Sequence, residues 1–102
     1  MRYDLSVTEA TYQANLKKKI EKLLPGCMIL KNDARLRPGI PDLLILYRRR
    51  WAMLEVKISA NAKKQANQDW YVDHLDEMSF AAFINPDNER DVLRALQQAL
   101  QP

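Results

Sequence analysis

Apolar side chains recur through residues 8–24 at Tyr12, Leu16, Ile20 and Leu23/Leu24, the spacing of one helical face. Ser6-Val7-Thr8-Glu9 offers a capping box ahead of this stretch, and Pro25-Gly26 should end it. Three short runs follow, at 27–31, 42–47 and 51–58, each rich in branched or aromatic side chains and each predicted to be a strand. The last two meet at Arg48-Arg49-Arg50, which predicts a hairpin, with no glycine to fix the turn type. Helical spacing returns over 62–75 through Gln68, Tyr71/Val72 and Leu75, and 79–84 reads as a further strand. Asn85-Pro86 then supplies an N-cap and first-turn proline for a last helix, with Val92, Leu93, Leu96 and Leu100 along its inner stripe. The order α-β-β-β-α-β-α predicts an α/β domain with a central mixed sheet of about four strands flanked by helices.

Length fits that picture, since 102 residues make one domain, 1–102, with room for a single core. With 47% apolar and 28% charged residues, the chain falls outside the disordered, collagen-like and disulfide-scaffold classes. Cys27 stands alone, so an internal bridge is impossible; a reducing, cytoplasmic setting with Cys27 as a small buried apolar group is expected. No apolar run approaches the roughly 18 residues of a spanning helix, and MRYDLSVTEA has no signal-peptide core, so no membrane partner is expected. The net charge of +3 is unevenly spread. Residues 1–68 carry 14 Lys+Arg against 6 Asp+Glu, and residues 69–102 carry 2 against 7. A cationic surface of this kind attracts nucleic acid or an acidic membrane, or is simply solvated.

The chemistry concentrates in two short segments. Gly39-Ile40-Pro41-Asp42 places an acid at the mouth of an apolar strand, and Glu55-Val56-Lys57 places two charges inside the next one. Strand side chains alternate faces, so Glu55 and Lys57 share a face with Met53, roughly 6.5–7 Å apart by strand rise. If the two strands pair as a hairpin, Asp42 near the start of one lies near the end of the other. Two carboxylates partly withdrawn from water repel unless a cation sits between them, and hard oxygen ligands suit Mg²⁺ or Mn²⁺. A neighbouring lysine can orient or deprotonate a water, or stabilise charge on a phosphoryl group. The plainer reading makes Asp42 a strand-entry cap and Glu55/Lys57 a solvent-facing pair on an edge strand, a common surface arrangement.

Glu9 lies seven residues before Leu16, about 700° around the helix, and so within roughly 20° of the apolar stripe. Gln68 bears the same relation to Leu75. Both should face inward at helix beginnings, towards the charged cluster. Against this, a first-turn glutamate also serves a capping box and the helix dipole, and Gln65 competes with Gln68.

Together these residues resemble the PD-(D/E)xK nuclease superfamily, and within it the virus-type replication-repair nuclease (VRR-NUC) domains. The resemblance runs from Thr8-Glu9-Ala10 to the final helix and includes the order of elements. It implies a restriction-endonuclease-like fold and a metal-dependent DNA endonuclease in which Asp42, Glu55 and the Val56 carbonyl ligate Mg²⁺ or Mn²⁺. Glu9 would act on the metal directly or through water. Lys57 would position or activate the attacking water, and Gln68 would hold Lys57 or the phosphate, with Gln65 as the fallback. It further implies a branched duplex substrate such as a four-way (Holliday) junction, a homodimer, and phage origin with the bacterial host cytoplasm as the setting. The alternatives are a nucleic-acid-binding module that keeps the fold without chemistry, and an exonuclease or flap nuclease.

Among the cations, Arg35 and Arg37 immediately precede the Gly39–Asp42 segment and are the best-placed phosphate contacts, with Lys63 and Lys64 as further candidates. Lys17, Lys18 and Lys19 span too wide an arc for one surface, and Arg48 to Arg50 serve equally as edge protection. His74, the sole histidine, suits a helix surface, and Trp51, Trp70 and Tyr71 suit packing.

Overall fold

The computed structural model describes residues 8–102 as seven elements in the predicted order: α1 (Glu9–Leu23), β1 (Met28–Lys31), β2 (Leu43–Tyr47), β3 (Arg50–Val56), α2 (Gln68–Met78), β4 (Ala81–Ile84) and α3 (Glu89–Leu100). Thr8 caps α1, its hydroxyl accepting from the Thr11 amide at 3.1 Å; Ser6 of the predicted capping box lies outside the described residues. Glu9 in the first turn and Lys22 in the last complement the helix dipole. Gly26, at φ +89, takes the left-handed conformation that turns the chain into β1.

The four strands run β1-β2-β3-β4, antiparallel except for the parallel β3–β4 pair that α2 connects. The predicted hairpin is β2–β3. Tyr47 pairs with Arg50, leaving Arg48-Arg49 as the turn, and Arg48 adopts φ 57 at a position that glycine usually fills. Its guanidinium lies 5.0 Å over the Tyr47 ring.

Strand alternation divides the sheet into two unlike faces. Leu43, Ile45 and Tyr47 of β2 and Ala52, Leu54 and Val56 of β3 are buried together with Tyr12, Leu16, Ile20 and Leu24 from the first helical stretch and Leu96 and Leu100 of α3. Full burial of a Leu or Ile side chain stabilises the fold by about 1.5–3 kcal/mol, so this single core carries most of the stability. Glu89 ties the two helices, accepting from the Tyr12 hydroxyl at 2.8 Å and from Lys19 at 2.6 Å. The opposite face, defined by Leu44, Leu46, Trp51, Met53 and Glu55, receives α2 over β3 and β4. Towards β1 it remains open, with Met28 58% and Leu30 44% exposed.

Three expectations shift. The second helix begins at Gln68 instead of residue 62, because Asn67 takes a left-handed backbone (φ 69) that interrupts any helix before it. The last helix begins at Glu89 behind Asn88. Asn85 closes a separate turn, its Oδ1 accepting from the amides of Asp87 and Asn88 while Asn88 Oδ1 accepts from the Asn85 amide. Cys27 is half-buried against the core, not fully enclosed, and burial pushes its thiol pKa up. Among the described residues no helix is long and apolar enough to cross a membrane.

Candidate active site

One step beyond the Leu43↔Leu54 pair, the β2–β3 register sets Asp42 opposite Glu55. This juxtaposition follows from the hairpin alone, because strand period and turn length leave no other facing residue. The Asp42 carboxylate accepts the Val56 amide at 3.0 Å. Asn32 anchors the backbone beneath it, donating its own amide to the Asp42 carbonyl at 2.8 Å and its side-chain amide to the Pro41 carbonyl at 2.9 Å. In a strand, a residue's N–H and C=O point to the same side. The Val56 carbonyl is therefore directed, like its amide, towards Asp42 and away from β4.

The edge-strand reading of Glu55 and Lys57 does not hold, since β3 lies between β2 and β4 and Glu55 is only 2% exposed. Glu55 Oε2 accepts from the Gln68 side-chain amide at 2.9 Å and stands 3.5 Å from the Lys57 ammonium. Glu55 Oε1 is buried and has no hydrogen-bond partner among the described residues. Burial, and then the charge of Asp42, push the Glu55 carboxyl up to about 7, against the opposing pull of Lys57. An acid so placed holds its proton near neutrality until a cation offers the unpartnered oxygen something better.

Lys57 Nζ also donates to the Lys63 carbonyl at 3.1 Å. An ammonium has three N–H donors, so with Glu55 and Lys63 as acceptors one remains for a third oxygen. Gln68, the first residue of α2, is buried, and its side-chain oxygen accepts the Gln65 amide at 2.9 Å. The glutamine that reaches the acids is thus Gln68. It grips Glu55, not Lys57, while the Gln65 side chain is exposed.

Glu9 departs from its expected inward position and is exposed. The angular argument chose the correct face, but the cover over α1 begins only at Tyr12 and Gln13, so the turn carrying Glu9 stands clear of it. Among the described residues no three His, Cys, Asp or Glu side chains gather as a metal-holding group. The residues suited to a divalent cation are accordingly Asp42, Glu55 and the Val56 carbonyl, and Glu9 is exposed and forms no three-carboxylate cluster with them. The unpartnered Glu55 Oε1 beside a second carboxylate fits such a cation, as does the all-oxygen donor set.

The expected phosphate contacts are mostly engaged elsewhere. Arg35 grips Asp33 through two nitrogens, at 3.0 and 2.9 Å. Arg37 donates to the Tyr71 hydroxyl at 3.2 Å, and Lys64 pairs with Asp69 at 2.8 Å. Lys63 is exposed. Trp70 stacks on His74 at 4.8 Å on the exposed side of α2. Sequence reasoning missed Gln13, which is 6% exposed and accepts from Lys31 at 3.2 Å, and Asn32. Gln13 had a signal, since it adjoins Tyr12 and lies one turn before Leu16 on the edge of the apolar stripe.

Gly39 locks the two halves of the site together. Its φ is +94, and a β-carbon there would come within 2.8 Å of both the Ala66 carbonyl oxygen and Asn67 Cβ, immediately ahead of Gln68. Gly39→Ala should therefore cost about 2–4 kcal/mol through backbone strain and overpacking. Gly26→Ala, with a similar φ but open space, should cost only about 1 kcal/mol. Chemical denaturation of both variants checks this; equal losses would show that contact with the Gln68 loop contributes nothing.

Compared with protein-family models, curated proteins and solved structures, the chain matches none.

Proposed function

We propose that this chain is a Mg²⁺- or Mn²⁺-dependent DNA endonuclease of the PD-(D/E)xK type, similar to VRR-NUC domains, that cuts branched duplexes such as four-way junctions as a homodimer. The observation that carries the reading is Glu55: a buried carboxyl facing Asp42, with one oxygen unpartnered and a lysine ammonium at 3.5 Å. A purely structural acid would have both oxygens satisfied. Asp42, Glu55 and the Val56 carbonyl would hold the divalent cation, which when bound would polarise a phosphoryl oxygen and lower the pKa of water. Lys57 would offer its remaining N–H to a phosphoryl oxygen, offsetting the charge that grows there as a water oxygen attacks phosphorus and the opposite P–O bond breaks. Gln68 keeps Glu55 in place for this, and Asn32 and the Val56 amide do the same for Asp42.

Met28, Leu30, Leu44 and Leu46 lie on the part of this face that α2 leaves open, on β1 and β2, and none carries a charge. A twofold contact brings a surface against itself, so an uncharged apolar strip meets no like-charge clash there. The expected partner on this face is a second copy. With so small a fold, phosphate contacts and DNA shape would dominate recognition over base reading.

The test is cleavage with Mg²⁺ or Mn²⁺ of linear, flapped and four-way DNA, alongside sedimentation of the free protein. Four-way cleavage by a dimer is expected. Binding without cleavage under both metals would leave a non-catalytic module, cutting only at ends or flaps would make it an exonuclease or flap nuclease, and a monomer would remove the twofold arrangement.

A further inference from the structure

Two cavities flank Asp42. One, of about 460 Å³, opens on the β1 side between Lys31, Asn32, Asp33, Ala34, Arg35 and Asp42. The other, of about 300 Å³, opens on the α2 side and is lined by Gly39, Gln65 and Gln68 together with the same Ala34 and Asp42. They meet at Asp42, so an extended chain crossing the acid would occupy both. Lys57, the cation of the proposed chemistry, lines neither.

Within the larger cavity the charges are unequal. Asp33 and Arg35 neutralise each other in a chelated pair. Lys31, at the end of β1, forms no ion pair among the described residues; its ammonium donates to the neutral side chain of Gln13, which α1 buries against the core. A polar side chain so enclosed is costly unless bonded, and here the partner is a cation on an exposed residue. Gln13 therefore fixes the position of the charge without cancelling it. By register Lys31 leaves the sheet on the α1 side and Asp42 on the α2 side, so the cavity lies at the sheet end where both faces are reached.

We propose that Lys31, positioned by Gln13, binds a backbone phosphate of the substrate strand in the cavity on the β1 side of Asp42, next to the phosphate that is cut. The inference rests on the nuclease reading and names residues that hold the substrate. Lys31 contributes the charge. Gln13 is a positioning residue and touches no DNA. Of the two cations lining this cavity, Arg35 is paired with Asp33 and Lys31 is paired with no acid among the described residues, which is the property a phosphate contact needs.

The experiment measures affinity for a four-way junction in EDTA across a salt series, so that it does not depend on catalysis. Losing one phosphate contact should lower the slope of log affinity against log salt by about one and weaken binding roughly fivefold to tenfold. Lys31→Ala should do this, and Lys31→Arg should restore most of the affinity. Gln13→Glu, nearly isosteric, places a carboxylate against the intact Lys31 and should reduce the slope as Lys31→Ala does, which a merely structural role for Gln13 would not. Arg94→Ala, an equal charge loss on the exposed side of α3, should leave the slope unchanged. Should Gln13→Glu fail to fold, Lys31→Ala and Lys31→Arg still decide the matter, because Lys31 is exposed on an edge strand. An unchanged slope in Lys31→Ala, or an equal loss in Arg94→Ala, overturns the proposal while leaving cleavage by the native protein intact. If the native protein binds but does not cut, the nuclease reading fails and the phosphate contact is still judged by the slope. If it does not bind DNA at all, both fail.

Discussion

Asp42→Asn and Glu55→Gln should each lower junction cleavage by about a thousandfold or more, while DNA affinity in EDTA stays equal or rises. A divalent cation contributes several kcal/mol to a phosphoryl-transfer transition state, and each 1.36 kcal/mol is about a tenfold change in rate. Two carboxylates are what this fold offers such a cation, so removing either charge removes much of its binding energy. The amide replacements keep an oxygen for the same donors, the Val56 amide in one case and Gln68 in the other, so the local hydrogen bonds survive. Asp42→Asn also removes a negative charge from a site that must receive phosphates, and Glu55, buried and holding much of its proton near neutrality without the cation, gives up little charge when replaced by glutamine, which is why binding in EDTA should not suffer. Lys57→Ala should separate from these two. It should slow turnover by about 10²–10³, as expected for loss of a donor aimed at developing charge, with calorimetric Mn²⁺ affinity much less affected. Full activity in either carboxylate variant removes that acid from the site, and unchanged turnover in Lys57→Ala ends the charge-stabilising role.

Much of this site could be read from alternation alone. The hairpin between 42–47 and 51–58 needed only two apolar runs and a short connection, and it forces Asp42 to face Glu55. The burial of Gln68 followed from its angle to Leu75. What stayed hidden depends on distant backbone. Helix α2 starts at Gln68 because Asn67 adopts a left-handed conformation against Gly39, a contact that no local propensity records. Periodicity gave Glu9 the right face of α1 but not the extent of the cover, and the polar residue enclosed there is Gln13. Counting charges overstated the free cationic surface. Lys19, Arg35 and Lys64 pair with Glu89, Asp33 and Asp69 respectively, whereas Lys31, which had no feature to recommend it, meets no acid among the described residues.

In the metal-free protein, Glu55→Gln should raise stability at pH 8 and leave it nearly unchanged at pH 4. The sign follows from where the proton is held. In the unfolded chain Glu55 titrates near its ordinary value of 4.5, whereas in the fold burial and Asp42 raise it to about 7. Between these values the native state keeps a proton that the unfolded state has released. Stability due to this group therefore falls as pH rises through the window, and levels off above about 7. At about 1.36 kcal/mol per pH unit, the total is about 3 kcal/mol. The Gln variant has no such proton, so the difference between the two proteins should be near zero below pH 4.5 and should grow to that size by pH 8. Denaturant unfolding in EDTA across pH measures it. Asp42→Asn provides an internal check, since removing the neighbouring charge should move the window to lower pH and shrink the effect. Adding Mn²⁺ should stabilise the native protein more at pH 8 than at pH 5, because the cation competes with the proton for the same carboxyl. Parallel stability curves for the native protein and Glu55→Gln would mean that Glu55 ionises as freely in the fold as in the unfolded chain. Water would then reach Oε1, and the unpartnered oxygen would lose its force as the mark of a cation site.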